Sequence, residues 1–314
     1  MDVRKKFSRI CYFGSGEFSR MTLEEIVKFV GSSLITLVIT KSDKEKGRGR
    51  KLQPTPVKEF AIEKGIEVWD SEDIKSEGFI NYLRSKGFDL FIVCDYGKII
   101  PKSVFEIPRF RSIGVHPSLL PKYRGASPIH YALLNLDEIT GTTIFYLNER
   151  MDAGDILIQK EISVDEDDNY TSLSKKLAIL SAEAVVEFIE NPDVKPRQQD
   201  ESKATYTRMI TKEDGRIDWA KEARYILGQV RAFVEWPKAY TFYKGKIIKI
   251  LKARCLDEDR DGVIGGIVGI KGGIQVKTGK GILEIQQVLP ESSKPMDAMS
   301  FVNGYRLKVG DTFE

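Results

Sequence analysis

Cysteine and histidine are scarce in this chain of 314 residues, which has three of the first and two of the second. Cys11, Cys94 and Cys255 lie far apart, so they form neither a CxxC metal pair nor an even-numbered disulfide framework. With so few sulfur and imidazole ligands, no stretch of the chain has the spacing of a metal site. We therefore expect no metal ion and a reducing, cytoplasmic location.

Long hydrophobic runs are also missing. No apolar stretch approaches the roughly 18 residues that a membrane-spanning helix needs. The apolar piece that follows the basic start of the chain is too short for a signal peptide. The composition, 41% hydrophobic and 30% charged, is that of an ordinary soluble protein long enough for two domains.

An excess of charge of one sign is absent too, since the net charge is only +3. Residues 205–314 hold 19 Lys and Arg against 14 Asp and Glu, so this part carries +5 and the rest −2. Surfaces rich in lysine are usually only solvated. Charge alone therefore leaves the question of a nucleic-acid partner open.

What is present in residues 1–190 is an alternation of strand-like and helix-like patterns, which predicts an α/β domain with a Rossmann-like, mostly parallel sheet. The predicted strands lie at 10–13, 34–40, 66–69, 90–94, 113–115, 142–147 and 156–162. The predicted helices lie at 21–29, 57–64, 78–86, 128–136 and 171–190. In such sheets, ligands bind beyond the carboxyl ends of the strands.

The pattern changes after a segment, 191–205, that contains two prolines and many charges and is predicted to be a linker. Residues 206–314 begin with a predicted helix at 224–234. Short predicted strands with glycine-bearing turns follow at 240–243, 247–253, 266–270, 273–277 and 281–288. Five short strands after a helix indicate a small OB-like β-barrel domain.

His116 is the leading catalytic candidate. It follows a short apolar run at a predicted strand end and precedes a loop that prolines stiffen, and Asp152 follows the next long apolar run. An imidazole with a distant carboxylate suits proton transfer at an acyl centre. The alternative is that His116 is structural and that Asp152 and Asp155 only form a turn. We interpret Asp155 and the helical His130 as structural.

Two loops after the first two strands could contact phosphate. Gly14-Ser15-Gly16 lacks the third glycine of the dinucleotide fingerprint, so an ordinary tight turn is the favoured interpretation. The basic, glycine-jointed loop 41–51 includes Arg48, Arg50 and Lys51. It is either a solvated surface loop or an arm that contacts phosphates and becomes ordered on binding.

Residues 115–128 read Val-His-Pro-Ser-Leu-Leu-Pro-Lys-Tyr-Arg-Gly-Ala-Ser-Pro, with Thr-Gly-Thr-Thr-Ile at 140–144 and Met-Asp-Ala-Gly-Asp at 151–155. Together they resemble the 10-formyltetrahydrofolate-dependent formyltransferases, and most of all the branch that formylates methionyl-tRNA. The similarity covers nearly the whole chain. The basic loop and the C-terminal domain separate this branch from single-domain relatives of the purine pathway.

The resemblance implies transfer of a formyl group from 10-formyltetrahydrofolate to the amino group of initiator methionyl-tRNA, without a metal, by a cytoplasmic monomer. The family uses an Asn, a His and an Asp; the last two fall on His116 and Asp152, and the first on Gly114. The folate pocket falls on Ser118, Leu119, Leu120, Pro121, Tyr96, Gly97 and Ile99. The tRNA contacts fall on Arg48, Arg50 and Lys51, with lysines of the C-terminal barrel.

Two positions depart from the family pattern. Gly114 stands where the family has the asparagine whose amide holds the formyl oxygen, and loss of one such donor costs about 10²–10³ in rate. Asp95 stands where the family has a small residue. Three alternatives remain open: a sugar-nucleotide N-formyltransferase, which would not need the Arg48 loop; an impaired folate-binding or tRNA-binding homologue; and, weakest, a nicotinamide oxidoreductase.

Overall fold

The computed structural model describes residues 6–46, 51–71, 73–258 and 260–314. Among these residues the chain divides into two units. The first takes in Met1–Pro128, Ile139–Ser163 and Ser174–Arg208. The second takes in Ile129–Glu138, Val164–Leu173 and Met209–Glu314. The domain bounds drawn from the sequence remain a prediction.

The strands and helices follow the predicted alternation closely. The strands are β1 (Ile10–Gly14), β2 (Ile35–Ile39), β3 (Lys44–Lys46), β4 (Lys51–Gln53), β5 (Glu67–Trp69), β6 (Leu90–Cys94), β7 (Ser112–His116), β8 (Arg124–Gly125), β9 (Ile139–Tyr146), β10 (Ile156–Ser163), β11 (Tyr206–Thr207), β12 (Ala239–Tyr243), β13 (Lys246–Leu256), β14 (Ile267–Gly269), β15 (Ile274–Lys277), β16 (Ile282–Pro290) and β17 (Met296–Asp297). The helices are α1 (Glu17–Val30), α2 (Pro56–Glu63), α3 (Glu77–Lys86), α4 (Lys102–Phe105), α5 (Pro128–Leu134), α6 (Tyr170–Glu190), α7 (Ala223–Ala232) and α8 (Ala298–Tyr305), with 3₁₀ turns at Ser32–Leu34, Glu201–Lys203 and Glu213–Gly215.

The first unit is built on a seven-stranded sheet of order β10-β9-β7-β6-β1-β2-β5. Strands β5, β2, β1, β6 and β7 are parallel, and β9 and β10 add an antiparallel edge. Every residue of β1 and of β7 is buried, as their continuous apolar runs predict. The predicted Rossmann-like, mostly parallel sheet is confirmed.

The register of the sheet positions the site. Gly14 of β1 pairs with Cys94 of β6, and Val93 pairs with Gly114 of β7. The carboxyl ends of these three strands therefore meet at one edge of the sheet, where His116 closes β7.

Helix starts in this unit follow local capping rules. Thr55 accepts a hydrogen bond from the Lys58 N–H at the start of α2, with Pro56 in its first turn, and Ser76 accepts one from the Phe79 N–H at the start of α3. The N-cap residue of α1 is Gly16, which has no side chain to cap the helix. No helix within the described ranges is long and apolar enough to cross a membrane.

Residues 191–205, predicted as a linker, make ordered contacts with the first unit. Arg197 and Ile156 exchange backbone hydrogen bonds of 2.8 Å. Directly after the segment, β11 pairs in parallel with β8. This stretch therefore belongs to the scaffold of the first unit as well as connecting to the residues that follow.

The second unit contains an antiparallel sheet of order β12-β13-β16-β15-β14, with β17 paired to β16, that curls into a half-barrel. Its core includes the Trp219 indole, which stacks on Phe313 with ring centroids 5.8 Å apart and donates to Thr241 Oγ1 at 2.9 Å. The five predicted strands are all present, and the prediction of a small OB-like barrel is confirmed.

Candidate active site

His116 lies at the end of β7, where only 6% of its surface is exposed. Its Nε2 is 2.8 Å from the carbonyl oxygen of Tyr123. Because a carbonyl oxygen can only accept, Nε2 carries the proton in this hydrogen bond. In the neutral ring, Nδ1 is therefore left as a proton acceptor.

Asp152 faces that acceptor. Its Oδ2 is 3.7 Å from His116 Nδ1, and the same oxygen accepts a hydrogen bond of 2.8 Å from the Gly125 N–H. At 3.7 Å the two side chains are not hydrogen-bonded, but a carboxylate at this distance stabilises an imidazolium. The structure thus brings together the two residues that the sequence selected from distant positions.

The loop that follows β7 is fixed by the Ser118 hydroxyl and by two side chains that the sequence analysis did not select, Thr143 and Gln159. Ser118 is fully buried, and its hydroxyl donates to the Lys122 carbonyl at 2.6 Å. Thr143 Oγ1 donates to the Ser118 carbonyl at 2.7 Å and accepts from the Leu120 N–H at 3.1 Å. Gln159 Nε2 donates to the Leu120 carbonyl at 2.9 Å. Hydrogen bonds at Ser118 and Leu120 therefore fix the backbone conformation of the loop.

More of the loop surface comes from Leu119 and Pro121, which are half-buried. Tyr96 is buried with its ring edge-on to Phe13, while Ile99 is 87% exposed. Gly97 adopts a φ of +69°, which glycine tolerates without strain. Of the seven residues predicted to bind folate, Leu119, Pro121, Gly97 and Ile99 are the ones with accessible surface beside His116's end of the sheet.

Gly114 is buried on β7 directly opposite Phe145 of β9. A Cβ atom at Gly114 would overlap the Phe145 ring. Phe145 is itself buried and packs with Leu120 and Ile156. The space into which an asparagine side chain would extend is therefore filled by an aromatic ring, so the glycine and the phenylalanine fit each other.

Asp95 follows β6 with a φ of +45°, and its carboxyl group lies against Gly16 at the start of α1. Although the residue as a whole is exposed, desolvation of this crowded carboxyl raises the pKa of Asp95 to about 6, against the opposing effect of the Lys41 charge. Once ionised, the carboxylate repels an anion at this helix start. This favours the tight-turn interpretation of Gly14-Ser15-Gly16.

The remaining candidate residues are those of the basic loop and the second histidine, His130. Arg48 and Arg50 lie outside the described residues, and Lys51 opens β4 with a side chain that is also outside them. His130 stacks on Tyr170 with centroids 4.2 Å apart, and burial lowers the pKa of His130 to about 4. Its ring is therefore neutral at physiological pH and packs as a structural group.

Across the described ranges, no group of three or more His, Cys, Asp or Glu side chains is arranged to hold a metal ion.

Comparison with known proteins assigns the family. Residues 8–189 match the formyl transferase family, and residues 209–306 match the formyl transferase C-terminal domain. The chain belongs to the formyl transferase family. Its similarity to named members extends over almost its full length.

A methionyl-tRNA formyltransferase from Dictyoglomus thermophilum is 42% identical over 98% of this chain and 100% of that protein. One from Thermodesulfovibrio yellowstonii is 39% identical over 98% of this chain and 99% of its own. Among solved structures, the N-formyltransferase of Helicobacter canadensis, in complex with folinic acid and dTDP-3-aminofucose, superposes with a TM-score of 0.63 at 20% identity. It covers 90% of this chain and 100% of its own, and it supports the fold alone.

Gly114→Asn is expected to destabilise the protein rather than improve the site, because the new side chain displaces the buried Phe145 ring. Overpacking of this kind costs about 1–3 kcal/mol. Adding Phe145→Leu should recover most of that loss. Urea unfolding of the two variants and of Phe145→Leu alone measures the coupling. Additive losses would show that the ring does not occupy the asparagine position.

Replacing Asp95 with Asn should stabilise the fold in a pH-dependent way. The raised pKa means that the folded state loses stability as pH rises from about 4 through 6, where Asp95 ionises at a cost. Asn removes that cost and tolerates the positive φ. The thermal midpoint should rise at pH 7.5 and stay unchanged at pH 4, whereas exposed Asp155→Asn should shift neither. A gain of equal size at both pH values would contradict the assignment.

Proposed function

We propose that this protein transfers the formyl group of 10-formyltetrahydrofolate to the amino group of methionyl-tRNA, the initiator species in particular. The observation that carries the proposal is the pairing of His116 and Asp152 at the strand edge of a chain that matches methionyl-tRNA formyltransferases over nearly its whole length. The C-terminal formyl transferase domain supports the same choice.

In the proposed reaction the amine nitrogen attacks the formyl carbon and a new C–N bond forms. The proton that the amine loses passes to His116 Nδ1, the ring nitrogen that the Tyr123 hydrogen bond leaves unprotonated. Asp152, 3.7 Å from that nitrogen, stabilises the resulting imidazolium. Collapse of the tetrahedral intermediate breaks the bond to the folate N10, which takes up the proton that His116 had accepted and so returns the imidazole to its neutral form.

We propose that the folate co-substrate binds against the loops that follow β6 and β7, at the carboxyl ends of these strands. Leu119, Pro121 and Ile99 present apolar surface, and the exposed backbone at Gly97 adds polar groups, which is the mixture that small-molecule sites use. The fully buried Ser118 hydroxyl already bonds within the protein. We therefore assign Ser118, Leu120 and Tyr96 to the shape of the pocket.

For the tRNA we propose contacts by Arg48, Arg50 and Lys51, together with lysines of residues 206–314, since residues 205–314 carry a net charge of +5. These groups would neutralise phosphates of the acceptor end. We also propose that the protein acts in the cytoplasm, in line with its isolated cysteines, and that it acts as a monomer.

The test is a formylation assay that offers two amines separately, methionyl-tRNA and an amino-sugar nucleotide, with 10-formyltetrahydrofolate. Transfer to methionyl-tRNA alone is expected. Transfer to the sugar nucleotide alone would replace the proposal with the activity of the structurally similar sugar enzymes. Folate binding without transfer to either amine would indicate the impaired homologue.

Within that assay, His116→Ala should lower kcat by about 10²–10⁴, the usual contribution of a general base, while binding of tRNA persists. The matched control is His130→Phe, which keeps a ring on Tyr170 and should leave kcat within about twofold. Filter binding of methionyl-tRNA checks the retained affinity. Unchanged turnover in His116→Ala would refute the role given to this residue.

A further inference from the structure

Three consecutive residues hold both members of the proposed proton relay. The Tyr123 carbonyl accepts from His116 Nε2 at 2.8 Å, and the Gly125 N–H donates to Asp152 Oδ2 at 2.8 Å. The position of this segment therefore sets the 3.7 Å separation between the imidazole and the carboxylate. Arg124 lies between these two residues and is 1% exposed.

The Arg124 side chain is anchored in the part of the chain that was predicted to be a linker. Its Nε and Nη2 donate to Gln199 Oε1 at 3.0 and 2.7 Å. Its Nη1 and Nη2 donate to the Glu201 carboxylate, both at 3.0 Å. Its backbone N–H donates to the Thr205 carbonyl at 2.9 Å. A buried guanidinium needs such partners, because an unpaired charge is costly in the interior.

Gln199 connects Arg124 to the backbone of the turn that carries the Asp152 carboxylate. It is 5% exposed, and its Nε2 donates to the carbonyls of Asp152 and Gly154, both at 2.8 Å. Both amide protons are used, and the amide oxygen binds Arg124. Asp152 has a φ of +52°, a conformation that non-glycine residues adopt only when neighbours hold them there. The two hydrogen bonds from Gln199 reach the residues on either side of Ala153 and so hold the turn that contains Asp152.

We propose that Gln199 and Arg124 are positioning residues, which fix Asp152 at its distance from His116 through the turn at 152–154. This inference rests on the proposed function for its kinetic readout. Neither side chain needs to touch a substrate, since each acts through a backbone carbonyl or an N–H. The segment 191–205 therefore contributes to chemistry as well as connecting two parts of the chain.

The main variant is Gln199→Met, which keeps the volume of the side chain but removes its two donors and the oxygen that accepts from Arg124. We expect kcat for formylation to fall by about 10–100-fold, because small misplacements of a reacting group cost rates of this size. The KM values for folate and for tRNA should stay within about twofold. The control is Asp200→Asn, which removes a charge next to Gln199 but keeps an oxygen that can cap the neighbouring 3₁₀ turn, and it should leave kcat unchanged.

A double-mutant comparison separates positioning from general stability. In an Asp152→Asn background, Gln199→Met should change kcat by less than about twofold, because the charge it positions is already gone. An equal fall in both backgrounds would overturn the proposal. If Gln199→Met does not fold, Arg124→Lys takes its place, since lysine keeps the charge but lacks the planar fork of donors with which Arg124 binds both Gln199 and Glu201.

A spectroscopic readout keeps this inference separate from the proposed function. The ring resonances of His116 should move in Gln199→Met and stay in place in Asp200→Asn. If the wild-type protein fails to formylate methionyl-tRNA but the resonances move as expected, the proposed function is wrong and the positioning role stands. Resonances that do not move in Gln199→Met would refute the positioning role.

Discussion

The hydrogen bond between His116 Nε2 and the Tyr123 carbonyl is the constraint on which the site depends. It places one proton on Nε2, and so leaves Nδ1 as the basic nitrogen opposite Asp152. If the ring carried its neutral proton on Nδ1 instead, it could not accept the proton of an attacking amine at that position. The fold provides this carbonyl because the chain turns back at Tyr123, with a φ of +63°, to enter β8.

Gly114 and Phe145 give the site a different wall from the one that the family asparagine implies. No amide projects from position 114, and the buried Phe145 ring makes that side apolar. The proposed chemistry therefore relies more on His116 and Asp152 than on a dedicated amide donor at position 114.

Much of the fold could be predicted from the sequence, because buried parallel strands and amphipathic helices carry strong periodic signals. The pairing of His116 with Asp152 could be predicted too, since both follow apolar runs that end at a sheet edge. β8 and β11, by contrast, have two residues each and carry no period at all. The composition of 191–205 indicated a linker, and nothing in it showed that Gln199 bonds to the turn of Asp152.

The backbone hydrogen bonds of the site could not be predicted from the sequence either. The Tyr123 carbonyl and the Gly125 N–H act through positions that any residue type offers, so residue identity gives no signal. The clash that a side chain at position 114 would make with Phe145 depends on cross-strand register, which pairs residues 31 positions apart. A resemblance could show that the asparagine was missing, and only the register shows what takes its place.

The most direct test of this account is the ¹⁵N spectrum of the imidazole rings at pH 8, with His130→Phe used for assignment. The chain has only two histidines, so the two rings can be resolved. We predict that neutral His116 carries its proton on Nε2 and that Nδ1 is unprotonated. A proton on Nδ1 would contradict both the Tyr123 hydrogen bond and the proposed role of His116 as the acceptor of the amine proton.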